Sequence, residues 1–354
     1  MKNRTLILFL LIHIIFVHFT YSQQNISKKN FKETSALFID EQPPLSIQLK
    51  FSIKNINKNT NDSTYVSSIL LYKNEDVLWD LLKIKIRARG NHRRENCYYV
   101  PLKLKLKKSS VKGTLFEGNK KLKLVLPCLP GKNNNDFVIK EYLAYKLYEI
   151  ISPFHFKTRL VNIDFIEERG QRIKKQELKG ILIEDIDKVA NRHDGREYKT
   201  FVHPLQNDAI TSIQNNLFQF LIGNTDFSTR TQHNQKLLFI DKKFICIPYD
   251  FDMSGLVNPN YAAVSGIENM PIKITEVTQR LYKGYKRDEL LLQKVRQEFI
   301  SHKIQIFKTI DNLRELFNDT KQYLKAKQFI VGFFEILESD KKFNKNIISR
   351  TRTK

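Results

Sequence analysis

Residues 45–53, 82–89, 102–106 and 121–126 alternate apolar and polar positions with a period of two. That period sends successive side chains to opposite faces, so each segment reads as a half-buried antiparallel strand whose outer row is mostly Lys and Arg. After Gly131 the period lengthens. Ile139, Leu143, Leu147 and Ile150 recur at spacings of four and three behind Asp136, a good N-cap, which predicts an amphipathic helix. Two short strands at 160–166 and 180–184 and a polar stretch to Asn207 follow. Ile213, Leu217, Phe220 and Leu221 form the apolar face of another helix, and Val295, Phe299, Ile306, Ile310, Leu313 and Phe317 that of a long C-terminal helical region. Trp79 and the many Phe residues read as core. The pattern predicts an α+β protein of two lobes, a strand-rich N-lobe over residues 45–130 and a mixed, helix-rich C-lobe over 131–354.

The N-terminus is patterned differently. Lys2 and Arg4 precede an apolar run from Leu6 to Val17, and Thr20 and Ser22 supply small residues at −3 and −1 of a cleavage site. This is the pattern of a Sec-type signal peptide over residues 1–22. A membrane span needs about 18 or more apolar residues, and His13 interrupts this short run, so no transmembrane span is expected after cleavage. The expected location is the cell envelope, the periplasm or outside the cell. Residues 23–44, polar and ending in Pro43-Pro44, read as a linker.

Sixty Lys and Arg against 37 Asp and Glu leave a formal charge of +23, which suits anionic partners without naming one. Lysine-rich chains from AT-rich genomes are often basic without binding nucleic acid, so nucleic acid is not the expected partner. Of three cysteines, Cys246 sits in an apolar run and reads as core. Cys97 and Cys128 lie in neighbouring strand-rich segments, and the sequence leaves their pairing open. With no C-x-x-C and no H-E-x-x-H, the usual zinc templates fail.

Residues 221–252 carry the candidate chemistry. A helix ends in Gly223-Asn224-Thr225-Asp226, Asn234 follows, and a hairpin-like pair of apolar segments ends in Asp250-Phe251-Asp252. Phosphoryl transfer uses a carboxylate to orient the nucleophile and Asp or Asn oxygens to hold Mg²⁺ against nucleotide phosphates. Asp and Asn also populate ordinary turns. The ordered set, together with Arg87-x-Arg89-Gly90 after a strand and Gly180-x-x-x-Glu184, resembles the CotH family of secreted and spore-coat atypical protein kinases, over roughly residues 80–285. The resemblance implies an atypical kinase fold that phosphorylates Ser or Thr of an envelope or secreted protein, with ATP and Mg²⁺ or Mn²⁺. It makes Asp226 the catalytic carboxylate, Asn234 a metal ligand and Asp250 the metal-binding Asp, with Asp252 competing for that role.

An ordinary protein kinase is excluded, because the chain has neither G-x-G-x-x-G nor His-Arg-Asp. Residues 113–120 nearly match a P-loop, but Asn119 stands where the Lys is needed, so they read as a hairpin turn. For the phosphate-contacting lysine Lys123 is favoured, with Glu141 as its partner; either is also readable as a solvated charge. Glu184 closes a strand where the backbone of residues 184–187 would meet adenine, and a capping or salt-bridge Glu is the rival explanation. Arg87 and Arg89 read as lining the exposed strand face, and His233 as a loop histidine. The alternative function is a non-catalytic envelope protein whose basic sheet binds an anionic polymer or partner protein.

Overall fold

The structure, a computed structural model, describes residues 35–39, 42–264 and 274–353. The signal peptide expected over 1–22 lies outside these residues, as does most of the expected linker. The elements are β1 (Leu45–Phe51), α1 (Ile53–Asn59), β2 (Val66–Lys73), β3 (Trp79–Ala88), α2 (Asn91–Asn96), β4 (Leu102–Leu106), α3 (Lys108–Val111), β5 (Lys121–Val125), α4 (Asn135–Ile151), β6 (Thr158–Arg169) and β7 (Arg172–Ile183). They continue with α5 (Ile186–Arg192), β8 (Arg196–Tyr198), α6 (Ala209–Leu221), β9 (Gln235–Ile240), β10 (Lys243–Pro248), α7 (Glu289–Ser301), α8 (Lys303–Asn312), α9 (Thr320–Leu337) and α10 (Asp340–Asn346).

Seven strands close into a barrel in the order β1-β2-β3-β4-β5-β7-β6, and β8, β9 and β10 form a separate small sheet. This corrects the expected two-lobed kinase-like fold. The class is mixed α+β, but its strand-rich part is a closed barrel. Two of its strands, β6 and β7, come from beyond residue 130. Closure comes from β1 lying parallel to β6, with Ile47 opposite Ile163 and Leu49 opposite Phe165. All other barrel pairs are antiparallel. The two short strands expected at 160–166 and 180–184 are the apolar ends of one long hairpin. Its distal half is mostly polar and exposed and carries no period-two signal.

The barrel is filled by alternate side chains, among them Ile47, Leu70, Leu104, Leu122, Leu124 and Ile163. Each such buried aliphatic contributes roughly 1.5–3 kcal/mol. Leu37 and Phe38, inside the stretch that composition assigns to a linker, are buried against this core. Trp79, expected in the core, is 42% exposed. A second core joins Val125, Leu160, Ile181 and Ile183 on the outer wall to α4, α6 and the C-terminal helices through Leu147, Leu217, Phe299 and Phe333. The barrel wall therefore has apolar residues on both faces where α4 covers it, and lysines elsewhere.

Asp136 does not cap α4, because Asn134 holds the N-cap position. Fully buried instead, Asp136 accepts hydrogen bonds from the backbone N–H groups of Asn318 and Asp319 and so ties α4 to the entry of α9. The long C-terminal helical region is broken at His302 into α7 and α8. Residues 113–120, expected to be a hairpin turn, are the second part of a longer β4–β5 connection that begins with α3, with Gly113 and Gly118 at positive φ. Among the described residues no helix is long and apolar enough to cross a membrane.

Cys97 and Cys128 form a disulfide with their Cα atoms 4.7 Å apart, inside the bridgeable range. It joins the end of α2 to the segment after β5. A loop of this length constrains the unfolded chain, so replacing both cysteines with serine should lower the unfolding free energy by about 3–4 kcal/mol. Urea denaturation of the oxidised parent and the double variant measures the difference; equal midpoints would refute it.

Candidate active site

Helix α6 delivers Asp226. The helix is buried all round, its polar side included, and Asn215, Gln219 and Asn224 form a buried amide chain beside the apolar face that the sequence shows. Gln219 Oε1 accepts from Asn224 Nδ2 at 2.9 Å, and Asn224 Oδ1 accepts from the Asp226 N–H at 2.9 Å. The turn out of the helix needs Gly223, whose φ is +61°; a Cβ there would lie 2.7 Å from the Phe329 ring. Lys283, itself buried, donates to the carbonyls of Thr225 and Phe227 and holds the loop from the other side.

Asn234 Nδ2 donates to the Asp226 carboxylate at 3.0 Å and to its carbonyl. That leaves the Asn234 Oδ1 lone pairs for another partner. The Asn234 carbonyl accepts from Tyr249 N–H at 3.1 Å, which sets Asp250 beside this pair. The hairpin β9–β10 makes this possible. Its turn residues Asp241 and Lys242 both have positive φ, the two-residue turn that matches strand twist. Asn234 and Asp250 also sit at positive φ, 54° and 66°, a sparsely populated conformation that turns each side chain out of its strand path. The Asp250 N–H donates to Tyr145 Oη of α4 at 3.1 Å. Asp226, Asn234 and Asp250 are thus brought together, as the sequence order suggests.

Asp252 and Glu141 lie behind them. Both are buried, and Asp252 Oδ2 accepts from Tyr261 Oη at 3.1 Å and lies 3.8 Å from Arg93 Nε. Glu141 Oε1 is buried with no hydrogen-bond partner among the described residues. Burial, and then the mutual repulsion of the two carboxylates, push Glu141 well above the usual carboxylate range. Burial likewise raises Asp252 to about 6, against the pull of Arg93.

Lys123 on β5 is half-buried between the rings of Phe156 and Tyr249, 4.8 and 4.6 Å from their centroids. Burial, with Arg89 nearby, lowers it to about 7, while Asp250 opposes the shift. No ion pair joins Lys123 to Glu141. The cations facing Glu141 are Arg93 and Arg89. Arg89 therefore lies in the site and not on an exposed strand face, whereas Arg87 is buried in a pair with Asp62 at 2.8 Å. Among the described residues the Arg89 side chain makes no hydrogen bond or ion pair. His233 Nε2 is 3.8 Å from Asp226 Oδ2, and that carboxylate raises its affinity for a proton.

Glu184 does not face this cluster. Its two oxygens accept from both terminal nitrogens of Arg192 at 2.6 and 3.0 Å, and Oε1 also accepts from Lys157 N–H at 2.7 Å. The carboxylate is a buried salt bridge that pins α5 to the start of β6. Beyond it a cavity of about 400 Å³ is lined by Lys121, Asp185, Asp187, Lys188 and Arg196, among others.

No protein-family model matches the chain, and no curated protein matches it.

Among the described residues no three acidic, His or Cys side chains converge as a ready metal cage. A magnesium ion at a nucleotide site takes only one or two carboxylates from the protein and completes its shell with phosphate oxygens and water. Asp226, Asp250 and the amide oxygen of Asn234 are hard oxygen donors that fit this requirement. Arg93, which the sequence reading missed, sits in the polar run Asn-His-Arg-Arg-Glu-Asn, indistinguishable from an exposed helix.

Two effects on stability follow in the absence of divalent metal. Glu141 and Asp252 hold their protons more tightly in the fold than unfolded, so they have no effect below the unfolded values near 4. As pH rises through Asp252's folded value of about 6, the unfolded chain ionises more easily and stability falls. Glu141→Gln should flatten that fall. Arg93→Met should cost about 3–5 kcal/mol at neutral pH by leaving buried carboxylates uncompensated. Urea midpoints from pH 4 to 8 test both; a pH profile unchanged in Glu141→Gln would contradict the first, and a near-neutral Arg93→Met the second.

Proposed function

We propose that the protein is an exported phosphotransferase that moves the γ-phosphoryl group of ATP to a Ser or Thr hydroxyl of an envelope or secreted protein, as the resemblance to CotH kinases implies. The observation that carries this reading is one cluster in which Asn234 holds Asp226 beside Asp250, with the cations Arg89 and Lys123 facing it. Carboxylates gathered in front of cations suit a metal–triphosphate unit, whose two kinds of charge they complement.

Asp226 would accept the hydroxyl proton as the substrate oxygen bonds to the γ-phosphorus and the bond to the β-phosphate oxygen breaks, releasing ADP. His233, raised toward protonation by Asp226, would stand at the edge where that proton leaves. Asn234 and Asp250 would hold the metal, which neutralises the phosphate charge when bound, while Asp252 and Glu141 fix Arg93 behind it. Lys123 at about 7 is half-charged near neutral pH, and a bound triphosphate would favour its charged form. The cavity beside Asp185 and Asp187, lined by Lys121 two residues before Lys123 on β5, would offer the adenosine a place. Export agrees with the Cys97–Cys128 disulfide, a bond that persists in oxidising compartments.

The roles separate by mutation. Asp226→Asn should cut phosphoryl transfer by about 10²–10⁴-fold with nucleotide affinity nearly intact. Asp250→Asn should weaken Mg²⁺–ATP binding itself, read as a smaller ligand-induced rise in melting temperature. Autophosphorylation and thermal shifts of folded variants provide the test. No Mg²⁺-dependent stabilisation of the parent by saturating ATP would defeat the reading.

A further inference from the structure

The outer face of the β2–β3 hairpin combines exposed apolar residues with lysines. Its cross-strand pairs are Lys73 with Trp79, Leu71 with Leu81 and Ile69 with Lys83. The turn between the strands exposes Val77 by 65% and Leu78 by 64%, and Leu81 on β3 is 54% exposed. Val77 has φ +64°, a conformation that a β-branched residue rarely adopts, so the apolar tip is held out at a conformational cost. Further along the same face, away from the turn, lies a groove of about 860 Å³ lined by Lys50, Lys83, Lys85, Lys105 and Lys107, with Glu168 3.1 Å from Lys50 Nζ.

We propose that this face docks on the surface of an anionic lipid bilayer. Two observations favour lipid over a soluble polyanion. An apolar and aromatic edge runs along the hairpin into a lysine-lined groove that begins at the Ile69–Lys83 pair, and Trp79, beside the turn, has Lys73 Nζ 5.6 Å from its ring centroid. A soluble polyanion uses the lysines and leaves Val77, Leu78 and Leu81 in water. A bilayer surface takes both, with the apolar edge at the acyl boundary and the lysines among anionic headgroups. Glu75 and Asp76 share the turn and keep the contact shallow, so the hairpin lies along the surface. None of these residues belongs to the candidate active site, so this proposal and the phosphotransferase reading fail separately.

Trp79 is the chain's single tryptophan, so its emission reports this hairpin alone. The full chain is mixed with vesicles of phosphatidylcholine, with or without phosphatidylglycerol. Emission should shift to shorter wavelength with the anionic vesicles only, and the shift should vanish near 1 M salt, where screening acts over about 3 Å. Val77→Asp with Leu78→Asp should abolish it, and Lys83→Gln with Lys85→Gln should weaken vesicle binding about thirtyfold. These side chains are exposed, and circular dichroism checks that the variants fold. The apolar run from Leu6 to Val17 is common to parent and variants, so it cannot produce the difference between them. Unchanged emission with anionic vesicles would overturn the proposal, as would a shift that survives both double substitutions. So would an equal shift with polyphosphate in place of vesicles, which would assign the face to a soluble polymer.

Discussion

Arg93 is buried among Glu141, Asp252 and Tyr261, and the charge balance of the whole seam depends on it. Two buried carboxylates repel each other, and both are raised in affinity for a proton; the guanidinium is what lets the fold tolerate them. Its position is set by distant parts of the chain. Arg93 Nη2 donates to the Leu126 carbonyl beyond β5, and Cys97, which ends α2, is bonded to Cys128 just beyond. Glu141 comes from α4 and Asp252 from the turn after β10. The cluster is complete only when barrel, helix and hairpin have assembled.

The closed barrel serves this seam by rigidity. With no free edge, β3 and β5 hold Arg89 and Lys123 at fixed positions against the helical layer. That layer holds Asp226 equally firmly, through the buried amides of α6 and the Lys283 contacts. Asn234 and Asp250 then both take positive φ at the mouth of the hairpin, where the Asn234 side chain holds Asp226. The cost of those conformations is small beside the packing that imposes them.

The sequence made local periodicity readable and left long-range closure hidden. The strands around Ile47, Ile84, Leu104 and Leu122, the helix carrying Leu143 and Leu147, and the hairpin ending in Asp250 follow from alternation and spacing. The grouping of Asp226, Asn234 and Asp250 followed from their order around that hairpin. The barrel did not follow, because the parallel pairing of β1 with β6 joins segments far apart in the chain, and no local pattern encodes which edges meet. The polar half of β7 hid a strand for lack of apolar alternation. Arg93 was passed over and Arg89 misjudged because a charge in a polar segment looks solvated until the element covering it is known. For Glu184 the rival reading as a salt-bridge residue is what the structure shows, with a partner, Arg192, eight residues on across a strand-to-helix turn. The same limit applied to Lys123, which faces aromatic rings where an acidic partner was expected.

Phosphoryl transfer as proposed requires the seam to be a metal–nucleotide site. Crystals grown with Mn²⁺ and a non-hydrolysable ATP analogue test it most directly, because manganese scatters anomalously and can be located without assumptions about its ligands. An anomalous peak is expected among Asp226, Asn234 and Asp250, with the triphosphate reaching toward Arg89 and Lys123. An ordered nucleotide elsewhere, or no peak among these three residues at saturating Mn²⁺, would contradict it.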